Sequence, residues 1–245
     1  MLRLRQICLV ARRLKPAVAD LESAFGLATC FRDPGVAKYG LENALLPVGN
    51  GFLEVVAPMA GQTDTAAERY LDRRGGDGGY MVILQSDDAR GRRATIEALG
   101  VRVINTHDHD DFYGFQLHPR DTGGAIVEIG RDVGGDAPDS PWRPAGSDWK
   151  RAVRTDVTNA MTGAELQCDD PAGLAARWGA ILDIAPKTGD DGVAALQLDN
   201  AMLRFVPVTD GRGEGLGGVD LKMAPGAQNL GETTIICGTR FRLIE

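Results

Sequence analysis

Three pairs of landmarks in this 245-residue chain stand 74 residues apart: Gln6 and Tyr80, Gly26 and Gly100, and Glu54 and Glu128. The first pair opens an apolar run, the second closes a helical stretch, and the third is an acid set in an alternating, β-branched-rich segment. A constant offset across three unrelated landmarks marks an internal duplication, in which each unit is one supersecondary structure that needs a neighbour to bury its face. The acids stand out within it. Gly51 to Pro58 (GFLEVVAP) and Gly124 to Ile129 (GAIVEI) both read as half-buried strands, and a carboxylate there is costly unless something protic or cationic meets it.

The first unit reads as a strand over Leu4 to Ala11, a helix over Pro16 to Phe25 and strands over Leu27 to Arg32, Glu42 to Val48 and Phe52 to Ala57. Val18, Leu21 and Phe25 lie at helical spacing, Gly26 stops the helix, and Gly49-Asn50-Gly51 turns a hairpin. The second unit repeats the order: a strand over Tyr80 to Gln85, a helix over Asp88 to Leu99, then strands over Val101 to Asn105, Phe112 to His118 and Ala125 to Gly130.

Between residues 132 and 150 the chain turns rich in Gly, Pro, Asp and Ser and reads as a linker or irregular crossing segment. A degenerate copy follows over residues 151–245. Gly163 to Gln167 reads as a strand, Pro171 to Leu182 as a helix, and Ala194 to Leu198 and Ala201 to Val206 as strands. A shortened last unit has a strand over Gly218 to Met223, a Pro/Gly loop and one or two strands over Thr233 to Leu243. Arg204 and Arg242 stand where acids are expected. They read as an anion pocket or, more simply, as surface arginines on polar strand faces. The stretch Gly211 to Gly218 reads as a flexible connection, since it lacks a phosphate-loop ending and no helix signal follows it.

A net charge of −7 argues against nucleic acid or an anionic membrane as the partner and leaves a small-molecule ligand as the natural one. No apolar run is long enough to span a bilayer. Cys8, Cys30, Cys168 and Cys237 are scattered without a C-x-x-C, which fits a reducing, cytoplasmic setting.

Tandem strand-helix-strand-strand-strand modules carrying Gln6 and Glu54 in one and Glu128 in the next resemble the vicinal oxygen chelate superfamily, the glyoxalase-like proteins. His118 to Gly124 (HPRDTGG), leading into Glu128, is similar to the approach to the last ligand in methylmalonyl-CoA epimerases of that superfamily. The resemblance implies an α+β fold of tandem βαβββ modules in cup-shaped mixed sheets. It places a glyoxalase-like domain over residues 1–131 (modules about 1–58 and 78–131), the linker over 132–150 and a degenerate second domain over 151–245. It also implies a divalent metal (Mg, Mn, Fe, Ni or Zn) held by Gln6, Glu54, Tyr80 and Glu128. In Tyr80 the sequence departs from the pattern: the usual third ligand is His, and a neutral phenol is a poor ligand for such ions.

Such an ion would polarise a carbonyl and stabilise an enediolate while Glu54, Glu128 or His118 removes the adjacent proton. The implied activities are those of a lyase, isomerase, epimerase or dioxygenase on a small oxygen-rich substrate. The alternative is a metal-free, resistance-type binding protein on the same fold, and the chain is expected as a monomer or a homodimer. Each residue also has a plainer reading: a solvated or Arg-paired acid for Glu54, cup hydrogen bonding for Gln6 and Tyr80, a strand-end ring for His118. Phe112, Gly114, Gln116 and His118 share strand parity. The loop Thr106 to Asp111 reads as a solvated turn, because consecutive loop residues seldom converge on one ion.

Overall fold

A computed structural model describes residues 1–226 and 233–245. The first half runs β1 (Leu2–Val10), α1 (Leu14–Phe25), β2 (Leu41–Val48), β3 (Gly51–Pro58), α2 (Ala66–Arg74), β4 (Gly78–Ser86), α3 (Ala89–Ala98), β5 (Val103–Asp108), β6 (Phe112–Leu117) and β7 (Ile126–Asp132). The second half runs β8 (Thr158–Cys168), α4 (Pro171–Leu182), β9 (Lys187–Thr188), β10 (Ala194–Gln197), β11 (Met202–Pro207), β12 (Gly215–Met223), β13 (Thr233–Ile236) and β14 (Thr239–Ile244). Of the Pro/Gly loop expected after Met223, residues 227–232 lie outside the described residues.

Each half builds one mixed seven-stranded sheet, in the orders β2-β3-β1-β4-β7-β6-β5 and β13-β14-β12-β8-β11-β10-β9. The two units of the first sheet meet where β1 runs antiparallel to β4, and each of these strands takes a parallel partner, β3 and β7. Alternation along the strands then separates two faces. Leu53, Val55, Val127, Ile129, Phe115 and Leu117 point to the back, where they share one core with the second sheet and with α1 and α4. Phe52, Glu54, Val56, Ile126, Glu128, Phe112 and Gln116 point to the other face, the cup.

The shared core is built from helix faces that the sequence spells out. Leu14, Val18, Leu21 and Phe25 of α1 are buried at spacings of three and four, and Phe25 reaches the second sheet, its ring 4.9 Å from that of Phe241. A fully buried Leu or Phe of this kind contributes about 1.5–3 kcal/mol relative to an exposed one. Gly49 marks a close approach between the halves. It has a φ of 58°, and a Cβ there would lie 2.1 Å from the Asn159 carbonyl oxygen.

Several local expectations are modified. Residues 27–32 form only a single bridge, Phe31 to Leu45, because Asp33 and Pro34 start a 3₁₀ turn over Pro34–Tyr39 and Pro34 has no N–H to continue a ladder. Helix α2 was not anticipated, although Thr65 and Glu68 form a reciprocal capping box that is visible in the sequence as Thr-x-x-Glu. The stretch after Gly211 is pinned: Arg74 Nη1 donates to the carbonyls of Arg212, Gly213 and Glu214 at 2.6–2.9 Å, and Arg212 donates back to Arg74 and Gly238. The segment read as a linker closes the cup, with Trp142, Ala145 and Trp149 buried against its face. Two indoles bury too much apolar area to be left in a solvated connection.

Candidate functional site

The cup encloses a cavity of about 1390 Å³ lined by Gln6, Cys8, Asn43, Glu54, Tyr80, Gln116 and Glu128 among a wall of Phe31, Phe112, Trp142 and Trp149. Ligand sites commonly measure about 300–1,000 Å³, so the cup has room for a sizeable molecule. Of the residues singled out in the sequence, Gln6, Glu54, Tyr80, Gln116 and Glu128 line this one cavity, and so do His107, His109 and Asp111 of the stretch read as a solvated turn, whose first part belongs to β5. His118 does not. Strand β6 ends at Leu117, so the parity that puts Gln116 in the cup stops one residue short, and the His118 ring instead caps the turn after it, Nδ1 accepting from Arg120 N at 3.1 Å.

Register brings the polar groups together. Glu54 on β3 pairs with Leu45 on β2 and Cys8 on β1, and Glu128 on β7 pairs with Ile83 on β4 and Gln116 on β6. Glu54 is held at both oxygens: Asn43 Nδ2 donates to Oε1 at 2.6 Å and Gln6 Nε2 to Oε2 at 2.8 Å. Trp142 Nε1 donates to Gln6 Oε1 at 2.7 Å and so fixes which end of that amide faces the acid. Glu128 is held at one oxygen, Oε2, by Gln116 Nε2 at 2.7 Å. Asn105 Nδ2 in turn meets Gln116 Oε1 at 3.3 Å. The other oxygen, Oε1, faces the bare backbone of Gly114, 3.5 Å from where a Cβ would sit. Asn43 and Trp142 carry no signal of the site in the sequence, whereas Gln116 is reached by strand parity, without its bond to Glu128.

Both acids are buried, and burial dominates their chemistry. It pushes the Glu54 carboxyl up, against the opposing pull of the hydrogen bond from Asn43. It pushes Glu128 up to about 7, with the Gln116 bond pulling down and the charge of Glu54 adding to the rise. The Tyr80 phenol is also pushed up by burial. At the end of the cup, burial raises Asp132 to about 7, and the Arg5 guanidinium, packed 5.4–5.7 Å from the rings of Phe52, Trp142 and Trp149, is brought down to about 10.

As a donor set for a divalent ion the four side chains fit poorly. Gln6 Oε1 and both Glu54 oxygens already accept N–H groups, and Tyr80 is a protonated phenol. Among the described residues no three His, Cys, Asp or Glu side chains stand where they could hold an ion. The second sheet has a different arrangement at the matching positions. Arg204 and Arg242 replace the acids and form neither a free anion pocket nor isolated surface charges. Arg204 pairs with Glu165 and Asp220 at 2.8 Å, Arg242 with Asp220 at 3.0 Å, and Arg240 with Glu165 at 2.5 Å.

A model of the family described as "Glyoxalase-like domain" matches residues 7–182, well over half of the chain. The chain belongs to this family. A hypothetical protein from Staphylococcus aureus superposes over 99% of this chain and 98% of its own, with a TM-score of 0.70 at 13% identity, which supports the two-sheet fold alone. A Streptomyces coelicolor methylmalonyl-CoA epimerase variant in complex with 2-nitronate-propionyl-CoA matches 56% of this chain and 98% of its own, at 20% identity and a TM-score of 0.49. Methylmalonyl-CoA epimerase from Mycobacterium tuberculosis matches 53% and 87%, at 21% identity and a TM-score of 0.44. No curated protein matches. Among the described residues, no helix of this glyoxalase-like chain is long and apolar enough to cross a membrane.

Proposed function

We propose that this glyoxalase-like protein moves a proton next to a carbonyl of a small, oxygen-rich substrate, in isomerase- or epimerase-type chemistry, with Glu128 as the acid-base group. The observation that carries the reading is the Glu128 carboxyl: inside the cup, anchored at Oε2 by Gln116, open at Oε1, and poised near neutrality. A base with a pKa near the working pH combines a useful ionised fraction with enough basicity to take a carbon-bound proton. Glu54, fixed by Asn43 and Gln6, contributes negative charge that raises the proton affinity of Glu128. The aromatic wall excludes water and packs the apolar part of the substrate.

A divalent ion bound here would supply Lewis-acid stabilisation of an enediolate. The hydrogen bonds already made by Gln6 and Glu54 support a reading that does not depend on it. Retention of a ligand without chemistry is the competing possibility, favoured by the size and aromatic content of the cavity.

Incubating the protein in D₂O with a panel of alkyl and aryl 2-hydroxy ketones, followed by proton NMR, separates these. Carbon-bound deuterium is expected with the wild type, at a rate lowered about 10²–10⁴-fold in Glu128→Gln. Binding of the panel with no exchange supports the retention reading, and exchange that disappears with a chelator supports a metal-dependent one.

A further inference from the structure

Proton abstraction beside a carbonyl leaves charge on the carbonyl oxygen, and that oxygen needs a donor. Glu54 and Glu128 are acceptors, and the indole N–H of Trp142 is spent on Gln6. Tyr80 is differently placed. In the β1–β4 ladder Cys8 pairs with Met81 and Leu9 with Gly79, so Tyr80 is the extra residue of a β-bulge. A bulge re-aims a side chain, and here it lets Tyr80 and Met81 line the cavity together. The Tyr80 ring is clamped by Tyr70 in an edge-to-face contact, centroids 4.9 Å apart, and the Tyr70 hydroxyl is itself anchored on the Gly79 carbonyl at 2.5 Å. The Tyr80 hydroxyl has no hydrogen-bond partner among the described residues, nor is it one of the sealed, unpartnered polar atoms. It therefore opens into the space it lines.

The second sheet shows that the fold itself does not ask for this side chain. Its β12–β8 ladder has the matching irregularity between Leu216 and Gly218, and the residue there is Gly217. The backbone needs the bulge; the phenol is an addition made only in the cup that carries the two acids. Tyr80 lies on β4, whose Ile83 pairs with Glu128 on the adjacent β7, so the phenol and the proposed base line the same cavity from neighbouring strands.

We propose that Tyr80 is a catalytic residue whose O–H donates a hydrogen bond to the substrate carbonyl oxygen and holds the enediolate that develops on it. The inference rests on the proton-transfer reading above. In the exchange step the substrate C–H bond breaks, its proton passes to Glu128 Oε1, and the electron pair moves into the carbon–carbon bond as the carbonyl π pair shifts onto oxygen. The phenol keeps its own proton throughout, and a deuteron taken from solvent by Glu128 returns to the same carbon. Nothing is oxidised or reduced.

Tyr80→Phe keeps the ring and its contact with Tyr70 and removes only the donor. It is expected to lower the exchange rate at saturation about 10²–10³-fold while KM moves only a few-fold. Unchanged exchange in Tyr80→Phe alongside lost exchange in Glu128→Gln overturns this proposal and leaves the proton-transfer reading standing. Unchanged exchange in Glu128→Gln instead overturns that reading. A second readout needs no turnover: 4-nitrophenol, an aromatic oxyanion probe whose absorption reports its ionisation, is titrated into both proteins. Binding to the wild type with a shifted spectrum, weakened at least tenfold in Tyr80→Phe, is the expected result. Equal affinity and spectrum in the two proteins, or no binding to either, overturns the proposal.

Discussion

Replacing Glu128 by Gln keeps the shape of the side chain and an oxygen for Gln116 Nε2 while removing the ability to ionise, so it measures what the buried charge costs the fold. Burial carries the Glu128 carboxyl from an ordinary 4.5 to about 7 in the folded chain. The folded state therefore binds a proton more readily than the unfolded state between these values. Its contribution is intact below pH 4.5 and is lost as pH rises through 7, where ionising the buried acid carries its full penalty. A change of this size corresponds to about 3 kcal/mol at high pH. For a chain of this length about 2–4 °C in Tm accompanies each kcal/mol, which sets an upper figure of about 6–12 °C. Thermal unfolding of both proteins at pH 4 and pH 8 checks this. Glu128→Gln is expected to melt close to the wild type at pH 4 and several degrees above it at pH 8. A difference that does not change with pH, or a variant less stable at pH 8, refutes the argument that a desolvated carboxyl sits in the cup.

Gly49→Ala is expected to destabilise by about 2–4 kcal/mol, read by urea unfolding, because a left-handed backbone and a Cβ 2.1 Å from Asn159 O both oppose it. Arg204→Ala removes one of two cations from Glu165 and from the buried Asp220, which keep Arg240 and Arg242, and a loss of about 1–3 kcal/mol is expected in the same assay. A loss below 1 kcal/mol would mean that this network is solvated. Treatment with EDTA is expected to leave Tm and any exchange activity unchanged, since the cup acids are satisfied by amide groups; a fall in either measurement points to a resident ion.

What could be read from the sequence followed from what each residue reveals locally. Glu54 and Glu128 were legible because an ionisable group in an alternating apolar strand is costly at any register, and the shared 74-residue offset joined them into one design. Tyr80 was legible by the same offset, but not its bulge, which depends on how β4 pairs with β1. Asn43, Gln116 and Trp142 are ordinary residues in sequence and gain their roles only from partners 11, 12 and 136 positions away. The closing segment was hidden by its Gly and Pro content, although Trp142 and Trp149 within it were the signal that it packs. His118 takes the plainer of its two readings, a strand-end ring, because β6 stops at Leu117 and Pro119 begins a turn, which also separates it from Gln116 despite their shared parity. The arginines of the second sheet were placed correctly in register, while their acidic partners on β8 and β12 could not be seen without the ladder.

These proposals depend on the Glu128 carboxyl being held half-protonated near neutral pH. Titration of protein labelled with ¹³C at glutamate side-chain carboxyls, followed by NMR, observes it directly. One resonance with a midpoint near 7, missing from Glu128→Gln, is the predicted result. A full set of glutamate carboxyls titrating close to 4.5 would contradict it.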